Sequence, residues 1–419
     1  MRHKEESEPQ LFQRGKRGIP SFPSFKEENV RRYAFILFFA LLLAPNLTAD
    51  TLSLSFFQNA TNNLFQNRFA ESDQLSTFGL YVDKNISEFS LFTEGSYSYL
   101  FENPNLTYYT QDVGIDYIHA LNEKSAFYLS LAGRGAFYRS DYSDFNYLSV
   151  NFFTAFKTYL SQTSILKSNY TFEYKNYKSS VFDSVSHSLM LSLDKYFQTK
   201  TTLKGEMSWG YKNFLHPYLS DEEVVVAETN SSSSGGKGRH NPYRNGLHQF
   251  IIQTQSEGQG IQVFSLSGLI AQGLGSRVGL QLTGTKQWSL SGKNPFTFIE
   301  EFYAVENPSY DRFSWEGFRI GTQMTVLIPW NIQLKLMYTM DNKEFPGIES
   351  LSLEGDSLGI LRKDERRQFE VRALKNFSKF SVSVSYFYVA NGSNDSLFDW
   401  NGHFFSAGIQ WNIPYGERK

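Results

Sequence analysis

Apolar and polar residues alternate with a period of two in the stretch 331–342, which reads NIQLKLMYTMDN. Leu334 and Tyr338 fall on one parity, whereas Lys335 and Thr339 fall on the other. Successive side chains of a β-strand point to opposite faces, so this pattern predicts a strand with one apolar and one polar face. Such a strand suits two environments: a soluble sheet whose apolar face covers a core, or a membrane-spanning sheet whose apolar face meets lipid.

The same alternation recurs from residue 74 onward, for example at 185–194, 203–212 and 380–388, and no long stretch of helical period competes with it. Between these segments, short and long connections alternate along the chain. Tight turns are predicted near 84–85, 122–123, 161–162, 199–201, 329–331 and 376–379, and longer polar links at 102–105, 140–144, 179–183, 216–245, 341–366 and 390–401. Outer-membrane barrels show this alternation because their tight turns lie on the periplasmic side and their loops on the other.

A soluble propeller or sandwich is the competing architecture. Propeller blades need short strands and a recurring motif. The strands predicted here run to about 12–15 residues, which is long enough to cross a bilayer with tilt, and the chain shows no repeated motif. The pattern therefore favours an all-β fold with one closed antiparallel transmembrane β-barrel.

The predicted turns delimit about eight strands in 74–215, about four in 246–305 and about five in 316–413. A further strand at 51–58 makes the number even, as expected for a closed barrel with both ends on one side. We therefore expect about 16–18 strands in total. The barrel is assigned to 74–415, with 50–73 as an N-terminal segment holding the first strand and 416–419 as a tail.

The N-terminal region has the layout of an export signal. Residues 31–50 read RRYAFILFFALLLAPNLTAD, in which two arginines precede an apolar run and Ala49 offers a small residue for cleavage. The run falls well short of the roughly 20 apolar residues of a spanning helix. We expect the polar leader and signal peptide, 1–49, to be removed, and 1–29 to lie upstream of the true translation start.

Composition agrees with a barrel and excludes several other classes of protein. Aromatic residues make up 17% of the chain, yet its mean hydropathy is −0.38, a combination expected when every strand is half polar. The net charge of −2 argues against a nucleic-acid partner held by bulk electrostatics. With no cysteine, the chain has no disulfide, thiolate metal site or cysteine nucleophile. We predict no cofactor and no metal site.

The last predicted strand reads HFFSAGIQWNIPY, with Phe405, Ile409 and Trp411 on one parity and Ser406 and Gln410 on the other. It resembles the C-terminal strand of bacterial outer-membrane β-barrel proteins, which the barrel-insertion machinery recognises. The resemblance departs at the end, where four further residues follow the final tyrosine. It covers general, porin-like architecture and no particular family. It implies a bacterial outer-membrane location, with membrane lipid and the insertion machinery as partners.

Charged residues on the polar parities are predicted to face the lumen, since a charge among lipid tails costs about 2–4 kcal/mol near the midplane. The predicted pore-lining residues are Glu94, Arg134, Lys157, Lys167, Glu173, Lys175, Asp194, Lys204, Glu206, Arg277, Arg319, Lys335, Glu370 and Arg372. Aromatic residues on apolar parities near strand ends are predicted to form girdles at the level of the lipid head groups. The predicted girdle residues are Tyr97, Tyr99, Trp209, Tyr211, Tyr386, Tyr388 and Trp411.

A hydrated lumen of this kind predicts a porin-like channel for passive diffusion of small hydrophilic solutes, with a mild preference for anions. The alternative is a structural or export-associated barrel with an occluded lumen, in which the charges pair across the lumen and stabilise the wall. The loop 216–245 suits either an irregular outer loop or a segment folded into the lumen. A lipid-modifying enzyme with His187 as its base ranks third, so we predict a non-enzyme. A homo-oligomer is compatible with the sequence, which marks no interface.

Overall fold

The computed structural model describes residues 50–216, 260–293, 311–353 and 356–414. Within these ranges sixteen strands form one closed barrel, each antiparallel to its two neighbours, and β1 closes the ring against β16. The strands are β1 Thr51–Thr61, β2 Asp73–Ile86, β3 Phe89–Leu100, β4 Tyr108–Asn122, β5 Ser125–Tyr138, β6 Tyr147–Ser161, β7 Ser164–Tyr177, β8 Ser184–Tyr196, β9 Thr201–Phe214, β10 Ile261–Leu274, β11 Val278–Ser291, β12 Glu316–Ile328, β13 Ile332–Leu351, β14 Ser357–Asn376, β15 Phe380–Ser393 and β16 Trp400–Pro414. No helix in the described ranges has the length and apolar character needed to cross a membrane.

The barrel has a turn end and a loop end. The links 87–88, 123–124, 162–163, 197–200, 275–277, 329–331 and 377–379 form the turn end, where the start of β1 and the end of β16 also lie. At the other end, which we call the loop end, the strands are joined by the links 62–72, 101–107, 139–146, 178–183, 215–260, 292–315, 352–356 and 394–399, of which 217–259, 294–310 and 354–355 lie outside the described residues. Short and long links therefore alternate as predicted, and the predicted first strand at 51–58 is confirmed as β1.

The apolar parity forms one continuous face around the ring, because directly opposed residues of neighbouring strands lie on the same face. One row runs from Tyr170 through Leu189, Trp209 and Phe264 to Trp288, each directly opposite the next. Rows of this kind continue around the ring to β16, whose apolar parity meets the apolar parity of β1. Large apolar side chains on this outer face are exposed, for example 51% for Leu189. Exposed apolar surface of this extent requires lipid.

Two expectations about the strands are wrong. The stretch 341–366 was expected to be a polar link, but β13 and β14 are each 20 residues long and fill most of it. Charged residues prolong the pairing there, since Lys363 bonds Glu344 across the two strands at 2.7 Å. Of the region 246–305, the described residues 260–293 form two strands, and the ring closes with sixteen. The rest of that region lies outside the described residues.

The first predicted turn also lies further along the chain than expected. The hairpin of β2 and β3 continues beyond 84–85 until Ile86 pairs with Phe89. Ser87 adopts a left-handed φ of 58°, which closes the two-residue turn. Apolar residues on both sides of the turn therefore extend the sheet where the polar residues 84–85 suggested its end.

The outer and inner faces of the barrel should respond differently when a charged side chain is introduced. Leu191 is an outward residue in the middle of β8, 39% exposed, and its neighbour Met190 points inward. Leu191→Arg should lower the free energy of unfolding from a lipid bilayer by about 2–4 kcal/mol, whereas Met190→Arg should change it far less. Urea unfolding in phospholipid vesicles measures both. Equal losses for the two variants would contradict the assignment of the faces.

Candidate functional site

The inner face of the barrel is polar and carries the predicted pore-lining residues. Every one of them that lies on a strand shares this face, as shown by opposed pairs such as Lys157 with Lys167 and Lys335 with Arg372. Arg277 is the exception, because β10 ends at Leu274 and β11 begins at Val278, which leaves Arg277 in the turn between them. Arg277 therefore has no strand face, and strand parity does not place its side chain in the lumen. The contribution of these residues to solute passage stays a prediction.

Three ion pairs of the inner face connect neighbouring strands. Arg134 Nε lies 2.6 Å from Asp112 Oδ1 across β5 and β4, and Lys167 Nζ lies 2.6 Å from Asp194 Oδ2 across β7 and β8. Arg319 donates two hydrogen bonds to Asp341 across β12 and β13, from Nε to Oδ1 at 2.5 Å and from Nη2 to Oδ2 at 2.9 Å. Such bidentate pairs are the geometrically best-defined type.

Three further pairs lie within single strands, between residues two positions apart. Lys204 and Glu206 are 2.7 Å apart, Arg372 and Glu370 2.7 Å, and Lys175 and Glu173 3.3 Å. Like the three pairs above, they join a strand to itself or to its immediate neighbour. These six pairs therefore lie along the wall and do not bridge the lumen, whereas Lys212 on the inner face of β9 pairs with Asp311 of the link after β11.

Lys157 and Lys335 are the cations that this pattern leaves without a counter-charge. Neither forms an ion pair within the part of the chain that the structure describes. Each stands directly opposite another cation, Lys157 opposite Lys167 and Lys335 opposite Arg372, and each of those opposing cations is already paired. Like charges directly opposite each other destabilise a sheet. The wall therefore holds two cations that lack an ion-pair partner among the described residues, although Lys157 Nζ lies 4.8 Å from the centre of the Tyr159 ring.

Acidic residues occupy the inner face of β2–β4. Glu94 stands opposite Asp112 on one side and Tyr81 on the other. Asp116 lies opposite Ser90, whose hydroxyl donates to Asp83 Oδ2 at 3.2 Å. Asp83, Asp112 and Asp116 were not among the residues predicted to line the pore. The last two do fall on a polar parity, but Gln111 on the apolar parity obscured the alternation of β4.

Aromatic rings also reach the inner face, where the sequence predicted only polar residues. Phe387 and Phe404 stack with centroids 4.5 Å apart and an interplanar angle of 8°. The Phe57 ring packs against Gly408, and a Cβ added at Gly408 would collide with this ring. The lumen wall on β15, β16 and β1 is therefore partly apolar and bears no charge on its inner strand positions.

Loops cover the inner wall at the loop end. Phe145 and Phe182, from the links after β5 and β7, pack in one buried cluster with inward residues at the ends of five strands, β5, β6, β7, β9 and β10, such as Tyr147 and Phe214. Phe313, from the link after β11, joins the same cluster. These contacts narrow the lumen on this side. Beyond His216, the long link after β9 lies outside the described residues up to 259.

Buried aspartates fasten these loops to the strands. Asp183 accepts a bond from the backbone N–H of Tyr177 at 2.6 Å, and Asp395 accepts bonds from Leu351 and Leu397 at 3.0 and 3.1 Å. Burial raises the pKa of both carboxyl groups. Desolvation of each carboxylate therefore destabilises the loop, and this effect is offset because the carboxylate accepts hydrogen bonds from backbone N–H groups.

The seven predicted girdle residues all lie on the outer face. Six lie towards the loop end, and Trp411 lies towards the turn end. Four of them are well exposed, for example 42% for Tyr97 and 39% for Trp411, and the other three are half-buried. At the turn end, Phe377 stacks on Phe380 at 4.3 Å, and Trp330 is 79% exposed. Rings therefore flank the apolar band on both sides, although their role at the lipid head groups stays a prediction.

His187, the candidate base of an enzyme, belongs to this outer aromatic belt. The Tyr170 hydroxyl lies 2.8 Å from its Nδ1, and the rings of Phe172 and Tyr211 pack around it. The serines on either side, Ser186 and Ser188, face the lumen, opposite to His187. The local geometry therefore holds the histidine in packing and does not pair it with a neighbouring nucleophile.

Comparison with known proteins yields structural likenesses only. No family model and no curated protein matches the chain. OccAB4 of Acinetobacter baumannii is 9% identical, with a TM-score of 0.49 over 88% of this chain and 99% of that one. OccK1 (OpdK) of Pseudomonas aeruginosa is 8% identical, with a TM-score of 0.46 over 87% and 98%. OccK8 (OprE) of the same organism is 8% identical, with a TM-score of 0.43 over 87% and 97%. The strand order and the two faces, and not these matches, support the conclusions below.

One buried carboxylate gives a sharp test of the loop anchors. Asp73, which is 3% exposed, accepts bonds from the backbone N–H groups of Gln74, Phe101, Glu102 and Asn103 at 2.6–3.1 Å. Asp73→Ala should speed hydrogen exchange of the 101–107 loop, because each unsatisfied buried N–H costs about 1–3 kcal/mol. Mass-spectrometric hydrogen exchange reports this. Glu102→Ala, which removes an exposed carboxylate from the same loop, should leave exchange unchanged, and equal effects would refute the anchor.

Proposed function

We propose that the chain is a porin-like channel of a bacterial outer membrane, through which small hydrophilic solutes diffuse passively. One observation carries the proposal: a closed ring of sixteen strands has an apolar outer face and a charged inner face, on which six of the ion pairs between described residues lie along the wall. Barrels of this size leave an aqueous channel unless a segment plugs them. Ion pairs along the wall leave the middle of the lumen to water.

The proposal includes the partners expected for such a channel. The exposed apolar belt is matched to membrane lipid, and the strand β16, which closes the ring, is the segment that the barrel-insertion machinery would recognise. Assembly into a homo-oligomer is compatible with this surface. Catalysis plays no part in the proposed activity, and the packed His187 supports this choice.

An occluded barrel is the second candidate, and the loop contacts favour it. The buried cluster at the ends of β5, β6, β7, β9 and β10 fills part of the mouth with apolar side chains. In that case the wall ion pairs would serve stability, and the chain would act as a structural or export-associated barrel.

Conductance separates the two candidates. The folded chain, reconstituted in planar bilayers, should give stepwise current increments in simple salts, because water and ions pass a hydrated lumen. The controls are detergent alone and the heat-unfolded chain. A pure, folded barrel that inserts without any current would refute the channel and support the occluded barrel.

Charge reversal at the two unpaired cations should change ion selectivity. Lys157→Glu combined with Lys335→Glu should move the reversal potential in a salt gradient towards cations, since both side chains face the lumen. The shift should be clear at 0.1 M salt, where the Debye length is about 10 Å, and should shrink at 1 M. Lys375→Glu is the matched control, because Lys375 lies on the outer face. An equal shift for the control would exclude a specific lumen effect. The reversal potential of the unmodified chain tests the predicted mild anion preference.

A further inference from the structure

The outer wall carries a depression that is separate from the lumen. Outward side chains of β10–β14 surround a cavity of about 510 Å³. Thr322 lies in the middle of it, because it is the small member of an outward row in which Leu282 and Tyr338 stand on either side. Met324 and Phe369 contribute further apolar walls. A barrel wall in lipid needs no such hollow in order to be stable.

Three glycines extend this hollow towards β9. Gly205, Gly268 and Gly284 stand directly opposite one another on β9, β10 and β11, on the outer face. A Cβ added at any of the three would meet no atom within 4 Å, so the space above them is open. Gly284 is the next outward residue after Leu282, which borders the cavity. The glycine row and the cavity thus form one groove, which we call the wall groove.

Two cations border the wall groove on the side of the loop end. Lys286 is the next outward residue after Gly284, and Arg367 is the next outward residue beyond Phe369. Arg367 is paired with Glu365 at 2.5 Å, whereas Lys286 has no ion-pair partner among the described residues. Lys286 is exposed and lies opposite Leu266 and Phe318, so it stands alone in an apolar row.

Lys286 is oriented towards the level of the lipid head groups. Its Nζ lies 5.9 Å from the centre of the Trp288 ring, and Trp288 is the next outward residue towards the loop end. Lysines on apolar surfaces extend their stems so that the ammonium reaches water, and tryptophan marks that interface in membrane proteins. If the outer rings mark the lipid head groups as predicted, the ammonium of Lys286 lies at their height, with the wall groove next to it on the side of the turn end.

We propose that the wall groove binds a phosphate-bearing membrane lipid from the leaflet on the loop side. One acyl chain lies along the glycine row and the cavity, and the anionic head group contacts Lys286. A lipid has a flexible apolar chain with an anionic group at one end. This matches the wall groove, which is apolar and has the ammonium of Lys286 at one end. A second copy of the barrel packed against this face would not fill the wall groove, because the outer wall of a barrel is broad and convex. The proposal does not depend on solute passage through the lumen.

Lipid retention tests the proposal. The folded chain is transferred into a neutral detergent doped with phosphatidylglycerol or with phosphatidylcholine of the same acyl chains, and native mass spectrometry counts the lipid adducts. Phosphatidylglycerol adducts should exceed phosphatidylcholine adducts several-fold. Lys286→Ala should lower them to the phosphatidylcholine level. Lys375→Ala should leave them unchanged, because Lys375 also faces outward and lies over an aromatic ring, at 4.8 Å from Phe377, but at the turn end.

Filling the groove gives the second arm of the test. Gly284→Leu combined with Thr322→Phe should reduce the adducts of both lipids, because the acyl chain is what they share. Undiminished adducts in the filled groove, or an undiminished preference for phosphatidylglycerol in Lys286→Ala, would overturn the proposal. Loss of an oligomer without any change in lipid retention would also overturn it and assign the groove to a contact between copies. The Lys286→Ala comparison stands alone if the filled variant does not fold.

Discussion

A sheet that crosses a bilayer has to satisfy every backbone donor and acceptor within the protein, because hydrocarbon offers none and each unpaired group costs several kcal/mol. In this chain the pairing of β1 with β16 meets that requirement, from Thr51 opposite Pro414 to Thr61 opposite Phe404. Closure then determines the rest, because in a ring without edges one parity must face outward along its whole circumference. The apolar belt and the charged lumen are two consequences of one hydrogen-bonding constraint.

The positions and faces of most strands could be predicted from the sequence, because the alternation of side chains and the turn residues are local properties of the chain. The strands between 74 and 215, the strand at the start of the barrel and the five strands after 316 are all present, although the first turn and the outer halves of β13 and β14 differ from the prediction. The outer half of the β13–β14 hairpin was predicted as a polar link, since it is charged and resembles a loop in sequence. Only cross-strand partners such as Glu344 and Lys363 show that it is sheet.

The partners of the lumen charges could not be predicted, because register is not a local property. Alternation places Arg134 on the polar face, but it does not indicate that Asp112 stands opposite. For the same reason the wall groove could not be predicted, because its three glycines lie on three strands and become neighbours only when those strands pair. The opposition of Lys157 to Lys167 could not be predicted either. Folding alone does not explain a wall that keeps like charges face to face, so such positions are where function is best sought.

The outer part of the β13–β14 hairpin joins two otherwise separate parts of the loop end. Phe345 and Ile348 are buried against Trp315, from the link after β11, while the backbone N–H of Leu351 donates to Asp395, from the link after β15. Arg362 stiffens the hairpin between these contacts, with its guanidinium stacked over the rings of Phe345 and Phe398 and bonded to Asp364. Motion at this side of the mouth is therefore collective: a force applied to either link is transmitted through the hairpin to the other.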